Sequence, residues 1–405
     1  MLEIFKDKSG CIAIRVESYF LPQKGTIILN GIDKKNTIAI TANTSWYLYN
    51  FRKNTILALL ESGYQVIAIS PVDEYTHRLA ELGCKTVSVK IDSGGTSIIK
   101  DSITLLSSWY VLRKEKVDVI LNFTPKNNIY FTLAAKVLNI PAINNIAGLG
   151  SVFMSKGMVR VICQHLYRFS QRYAAKIFFQ NEDDRELFLT EMLPDYLHTE
   201  RLPGSGVDLV RFNVTPAPDD DVVRFTLIAR MLYSKGVEHY VEAARKLKKR
   251  HGQRCEFRLL GFLDVSNPAA VKTERMAAWI EEGNILYLGT SDNVEQEIAQ
   301  VDCIVLPSFY REGVPKSLLE AGAMGKPLIT TRNIGCQDTV DDGINGFLCE
   351  PQDTDCLTRA MERLINMTHV QRLEMGNESR KKMVREFDEK IVISRYLKAI
   401  EQVLP

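Results

Sequence analysis

The sequence predicts an α/β protein made of two Rossmann-like, doubly wound domains, and three observations carry that prediction. From Asn36 onward, short β-branched and apolar runs alternate with longer amphipathic stretches, the pattern of a parallel sheet covered by helices. The alternation is interrupted once, at Pro203–Asp221, by "PGSGVDLVRFNVTPAPDDD", whose proline, glycine and aspartate content is that of an interdomain linker. A chain of 405 residues with 45% hydrophobic composition is long enough to bury two cores.

Residues 1–36 fit no βα unit and are expected to form an added hairpin or to lie on the surface. Strands are then predicted at Thr37–Thr41, Gln65–Ser70, Thr86–Lys90, Asp118–Asn122, Ala142–Asn144 and Lys176–Gln180. Between them run helices such as "NFRKNTILALLESG", where Ile56, Leu59 and Leu60 mark the apolar face and Gly63 the stop. Beyond the linker, strands are predicted at Phe225–Ala229, Glu256–Leu260, Ile285–Leu288, Cys303–Leu306 and Leu328–Thr330. The expected domains are 1–205 and 206–390, with a last helix over 391–405. Ligands of such sheets bind in the cleft at the carboxyl ends of the strands.

Composition removes several function classes. A net charge of +2 gives no reason to expect a nucleic-acid partner. No apolar run reaches the roughly 18 to 20 residues of a membrane span, and the opening "MLEIFKDKSGCIAIRVES" lacks the continuous apolar stretch of a secretory signal. A cytoplasmic protein is expected. Eight cysteines lie scattered without a C-x-x-C pair, which reads as reduced core thiols rather than a metal or disulfide framework.

The first strand runs into "TANTSWYLYNFR", with no glycine where a dinucleotide fold would carry G-x-G-x-x-G, and no P-loop occurs anywhere. The corner "SFYREGVPKSLLEAGAMGKP", Ser308 to Pro327, supplies another way to hold phosphate. Gly313 lets the backbone turn, and Pro315 is expected early in a helix whose N–H groups at Lys316 and Ser317 stay unpaired, an anion site. Glu312 before the helix and Glu320 within it can both face the cleft and receive hydroxyl groups. In "LIARMLYSKGVEH", Arg230 ends a strand and Lys235 follows in the loop. A guanidinium fork and an ammonium suit a diphosphate that gains charge as it leaves. Hydroxyls together with phosphate suggest a nucleotide sugar.

On the first domain two readings stay open: Asn50 and Arg52 near the cleft as acceptor contacts, with Gly148 and Gly150 allowing close approach of a loop, or plain capping and turn roles for these residues. "DTD" at Asp353 to Asp355 reads as a helix cap rather than a metal motif, and "DDD" at Asp219 to Asp221 as solvated linker. No metal and no cofactor is expected. From Lys156 to Arg185 the basic residues 156, 160, 168, 172 and 176 occupy one helix side, and Val159, Ile162, Leu166, Phe169 and Tyr173 another. Two readings stay open there, a core-packed helix with a solvated face or a basic surface drawn to anionic lipid.

The segments "ARMLYSKGV", "ILYLGTSDNV", "LPSFYREGVPKSLLEAGAMGKPLITT", "GCQDTVDDGINGFLCEPQD" and "FDEKIVISRYLKAI" together resemble the retaining glycosyltransferases of family 4, glycosyl transferases group 1. "ITANTSWYLYNFR" and "NNIAGLGSVF" are most similar to bacterial members that extend lipid-linked or surface-polysaccharide glycans. The resemblance implies a B-type glycosyltransferase fold and transfer of a sugar, N-acetylhexosamine among the candidates, from a UDP-sugar to a polyprenyl-diphosphate-linked acceptor at the inner face of the membrane. It implies that Glu312 contacts the donor sugar and Glu320 the ribose, that Gly313, Val314, Pro315, Lys316 and Ser317 contact sugar and phosphates, and that Arg230 and Lys235 hold the diphosphate. Glu312, Arg230 and Lys235 are the expected catalytic residues. The histidine that many members carry near the donor is absent from "NNIAGLGS", where Asn144 and Asn145 stand as polar substitutes or as plain turn residues. An epimerase or phosphorylase of the same architecture and a non-catalytic scaffold subunit are the competing readings.

Overall fold

The computed structural model describes residues 2–6, 12–16, 27–28, 36–91, 97–149, 158–192, 198–265 and 267–404. At the amino end β1 (Leu2–Lys6), β2 (Ile12–Val16) and β3 (Ile27–Ile28) pair antiparallel in that order, so a hairpin is found there.

The first large sheet holds β4 (Thr37–Thr41), β5 (Gln65–Ser70), β6 (Lys85–Ser88), β7 (Val119–Asn122), β8 (Ala142–Ile146), β9 (Lys176–Phe179) and β10 (Thr199–Arg201), in the order β10-β9-β8-β7-β4-β5-β6. The second holds β11 (Val223–Ile228), β12 (Cys255–Leu260), β13 (Leu286–Tyr287), β14 (Cys303–Leu306), β15 (Leu328–Thr331) and β16 (Gly346–Cys349), in the order β13-β12-β11-β14-β15-β16. The neighbouring strands of both sheets pair parallel. Strand order therefore reverses between β4 and β7 and between β11 and β14, and these switch points open the crevices in which such sheets bind ligands.

The helices of the first half are α1 (Ser45–Glu61), α2 (Thr76–Glu81), α3 (Ile98–Glu115), α4 (Pro125–Val137), α5 (Met158–Gln171) and α6 (Glu182–Glu191). Those of the second are α7 (Val237–His251), α8 (Thr273–Glu281), α9 (Val294–Ala299), α10 (Lys316–Ala323), α11 (Thr354–Asn366) and α12 (His369–Glu386), and α13 (Glu389–Val403) ends the chain. The central strands β4, β7, β8, β14 and β15 are buried on both faces because helices cover both. In β14, Cys303 and Val305 enter the core under α7, α8 and α11, while Ile304 and Leu306 enter the one under α10 and α12, the two-residue alternation of a strand.

The last helix returns to the first sheet. Val392, Tyr396, Ala399 and Ile400 of α13 share a core with Ile38, Ile40, Leu121 and Ile143. The Tyr396 ring meets Phe123 and Phe178 edge-on at 5.7 and 5.3 Å.

Two edge strands were not expected. β10 has three residues, and β16 opens on Gly346, where a Cβ would sit 1.8 Å from the Leu328 carbonyl oxygen. Neither carries an apolar run long enough to read as a strand. Pro315 caps α10 (φ −64°, ψ 121°) instead of lying inside it, because its carbonyl already accepts the first helical bonds from Leu318 and Leu319 N–H. The described cysteines are free thiols, and Cys84, Cys255, Cys303, Cys336 and Cys349 are buried.

Candidate active site

Chain turns after β11 and β14, at the switch point of the second sheet, bring the charged residues together. Lys235 Nζ donates to Glu312 Oε1, with the two side chains 14% and 12% exposed. The Ser308 hydroxyl lies 2.9 Å from the same Oε1 and 3.2 Å from the Ser234 carbonyl oxygen. Asn333 Nδ2 and the Thr331 hydroxyl hold the Ser308 carbonyl from beneath. Arg230 follows β11 with its side chain exposed.

The N–H groups of Lys316 and Ser317 precede the first bonds of α10, so the positive end of the helix dipole opens at this corner. Lys316 Nζ is 3.7 Å from Glu320 Oε1, donates to the Asn50 carbonyl oxygen at 2.6 Å, and lies 4.7 Å over the Phe51 ring. Burial pushes the Glu320 carboxyl above its ordinary range, against the pull of the Lys316 ammonium. The same burial pushes Lys316 down, and Glu320 opposes it. Gly325 (φ +74°) ends the turn after α10, where only glycine sits without strain.

The first domain clamps the corner. Arg311 Nε pairs with the fully buried Asp184, and Asn181 Nδ2 donates to the Glu312 carbonyl oxygen at 3.1 Å. Gln180 Oε1 accepts from Val314 N–H at 3.3 Å. A Cβ on Gly313 would lie 2.2 Å from Gln180 Oε1 and 2.3 Å from the Ala147 carbonyl oxygen. Gly335 (φ +78°) is equally constrained, since its Cβ would fall 1.5 Å from the Gly313 oxygen. Across the same cleft the Tyr75 hydroxyl donates to Asp292 at 2.7 Å, and Trp46 meets Phe262 edge-on at 6.0 Å. Gln180, Asn181, Asp184 and Trp46 were missed by sequence reasoning. They stand where any strand end or helix start would put polar or aromatic residues, and only their position across the cleft distinguishes them.

Other expected residues separate. Asn50 reaches the cleft through its carbonyl, and its Nδ2 donates to Trp46 O at 3.0 Å. Arg52 is 1% exposed, its guanidinium 4.4 Å over the Phe123 ring and its Nη2 bonded to the Tyr47 hydroxyl at 3.2 Å, so it is no part of the cleft surface. Gly148 (φ +135°) backs onto the Gly313 amide, and Gly150 lies outside the described residues. Asn144 belongs to a buried ladder with Asn122, Thr132 and Gln171. Asn145 is also buried. Asp353 caps α11 through the Cys356 N–H at 2.8 Å, the structural role expected of "DTD".

Comparison with known proteins decides the family. Residues 37–181 match the model described as glycosyl transferase 4-like, and residues 223–367 that of glycosyl transferases group 1. The chain belongs to the group 1, family 4 glycosyltransferases. Among this glycosyltransferase's relatives, the Campylobacter jejuni N,N'-diacetylbacillosaminyl-diphospho-undecaprenol alpha-1,3-N-acetylgalactosaminyltransferase is 28% identical over 384 residues, 88% of this chain and 96% of that one. The Escherichia coli UDP-Gal:alpha-D-GlcNAc-diphosphoundecaprenol alpha-1,3-galactosyltransferase is 25% identical over 282 residues, 66% and 71% of the two chains. A glycosyltransferase of Rickettsia africae has the same fold (TM-score 0.71, 17% identity, 92% of this chain and 99% of that one). So does Anabaena HepE solved with UDP (TM-score 0.71, 14% identity, 91% and 100%). The B-type fold expected from the sequence is thus present. Among the described residues, no helix of the glycosyltransferase is long and apolar enough to cross a membrane.

Proposed function

We propose that the protein is a retaining, metal-independent transferase that moves a sugar of the N-acetylhexosamine class from a UDP-sugar to a saccharide on a polyprenyl diphosphate. The observation that carries this reading is the Lys235–Glu312 pair just before the amino end of α10, at the switch point where exposed Arg230 follows β11. The choice of donor is supported by the UDP in the Anabaena neighbour, and that of acceptor by the diphospho-undecaprenol carriers of the Campylobacter and E. coli relatives.

In this reading Arg230 and Lys235 hold the diphosphate, Glu320 the ribose hydroxyls and Glu312 the sugar, while main-chain groups from Gly313 to Ser317 contact sugar and phosphate. Asn50 and Gly148 border the acceptor, and Arg52 acts from beneath by fixing α1. The donor domain is 206–390 and the acceptor-side domain 1–205, with 391–405 packed back on the latter. Transfer proceeds on one face of the sugar. The C1–oxygen bond to the diphosphate breaks with its electron pair leaving on UDP, and the acceptor hydroxyl oxygen bonds to C1 from the side UDP leaves. Its proton passes to the departing phosphate oxygen. The cations and the helix end offset the charge that grows on UDP, and the closed cleft supplies orientation. A lipid-linked acceptor implies a cytoplasmic enzyme working at the inner face of the membrane.

A panel of nucleotide sugars tests the reading. UDP-sugars are expected to raise the melting temperature, and one of them to be transferred to a lipid-linked acceptor; if no nucleotide sugar protects the protein, the reading is wrong.

A further inference from the structure

Lys316 stands where a helix least favours a cation. It opens α10, at the positive end of the dipole, and the Lys-to-Glu order of its i, i+4 pair with Glu320 is the weaker one on a helix. Neither local effect explains the residue. A lysine beside a diphosphate ordinarily contacts phosphate, but this Nζ is engaged elsewhere. It lies 2.6 Å from the Asn50 carbonyl oxygen and 4.7 Å over the Phe51 ring, both on α1 of the first domain, and 3.7 Å from Glu320 Oε1.

Glu320 needs such a neighbour. Its side chain is 12% exposed, and burial favours the protonated form. A carboxylate accepts hydrogen bonds at both oxygens, whereas a carboxylic acid carries a proton of its own on one of them. Two adjacent ribose hydroxyls, both donating, are therefore received by the ionised form. Arg211 of the linker favours that form through space, but its Nη2 is bonded to Glu295 of α9 at 2.8 Å, and Glu295 opposes it. Burial, Arg52 of α1 and Arg211 disfavour the Lys316 ammonium, while Glu320 and Glu389 of α13 favour it. Among the described residues, Lys316 is the cation within ion-pair distance of Glu320.

We propose that Lys316 is a positioning residue: its ammonium keeps Glu320 ionised for the donor ribose and ties that carboxylate to the first-domain wall of the cleft through Asn50. Donor binding and the approach of the acceptor side then depend on one side chain. The inference rests on the ribose role proposed for Glu320, yet its ion pair is tested without donor, so the two can fail separately.

Urea denaturation between about pH 5 and 8 tests the pair. Without Lys316, Glu320 titrates in the folded chain further above its ordinary 4.5, so folded K316M binds more protons than the unfolded chain and loses stability relative to the parent as pH rises. K316M/E320Q should lack that loss, and K316R should follow the parent. Additive effects of K316M and E320Q at every pH would overturn the inference. Calorimetric titration with UDP tests the consequence. K316M should bind UDP about tenfold more weakly than the parent near neutral pH, with the gap narrowing as pH rises, and K316R should stay within about threefold. A gap that is constant with pH, or K316M binding like the parent, would overturn the inference. UDP binding by E320Q equal to the parent's would overturn the ribose role, and with it this use of the pair, even where the urea series shows coupling.

Discussion

Lys235 and Glu312 neutralise each other at a corner where both are mostly buried, so the two cations proposed for the diphosphate differ in what they do for the fold. Arg230→Ala removes an exposed side chain; kcat/KM is expected to fall ~100- to 1,000-fold with the melting temperature unchanged. Lys235→Ala should cost a similar factor and also lower the melting temperature, because among the described residues the Glu312 carboxylate keeps only the Ser308 hydroxyl. Steady-state kinetics and thermal melts on both variants separate the two effects. A second residue gives a pH signature away from the site. Lys326 is 1% exposed, donates to Ala299 O, and is pushed down to about 8 by burial, against the pull of Asp302. Between about pH 8 and 10.5 the unfolded chain binds more protons at this lysine than the folded one, so its contribution to stability rises with pH across that window. Urea denaturation should show a rise of up to about 3 kcal/mol that K326M lacks. At this scale the charged strand-to-helix corner was legible because its glutamates, glycine and proline fall within one short run. Gln180, Asn181 and Asp184 were not, since contact between residues about 130 positions apart leaves no local pattern.

Among elements, the strand-to-helix turns carry the proposed site, and the glycines at 313 and 335 are set by what lies opposite. A methyl group on Gly313 strikes Gln180 and the Ala147 carbonyl, both in the first domain. G313A should therefore hinder closure of the cleft and lower kcat more than about 100-fold, while UDP affinity, measured calorimetrically, changes by less than about threefold. Equal losses in both would mean that the residue acts on the donor alone. The buried parallel strands were legible as apolar runs, as in "CIVL" of β14. The edge strands β10 and β16 were not, because an edge needs few residues and little apolar area. Periodicity in α5 located its apolar and basic residues but not which of them met the core. Tyr167 and Ser170 do so, while Phe169 does not, and that choice depends on how α4 and α6 pack beside it.

For the molecule as a whole, α13 joins the end of the chain to the sheet that begins it, and Tyr396 is the largest side chain in that joint. Tyr396→Ala should destabilise by about 3 to 5 kcal/mol, whereas Tyr396→Phe should be nearly neutral because the hydroxyl has no protein partner among the described residues. Chemical denaturation of the two variants checks this. The two-domain architecture was legible from alternation and one linker, but the closeness of the cleft walls was not. It depends on Arg311–Asp184, Lys316–Asn50 and Tyr75–Asp292, three contacts between distant segments. The measurement that bears most directly on the account is the anomeric configuration of the product, read by NMR after transfer from an α-linked UDP-sugar to a short-chain polyprenyl-diphosphate acceptor. The account predicts an α-linked product whose formation falls at least about 100-fold in R230A and in E320A. A β-linked product, or full activity in both variants, would contradict it.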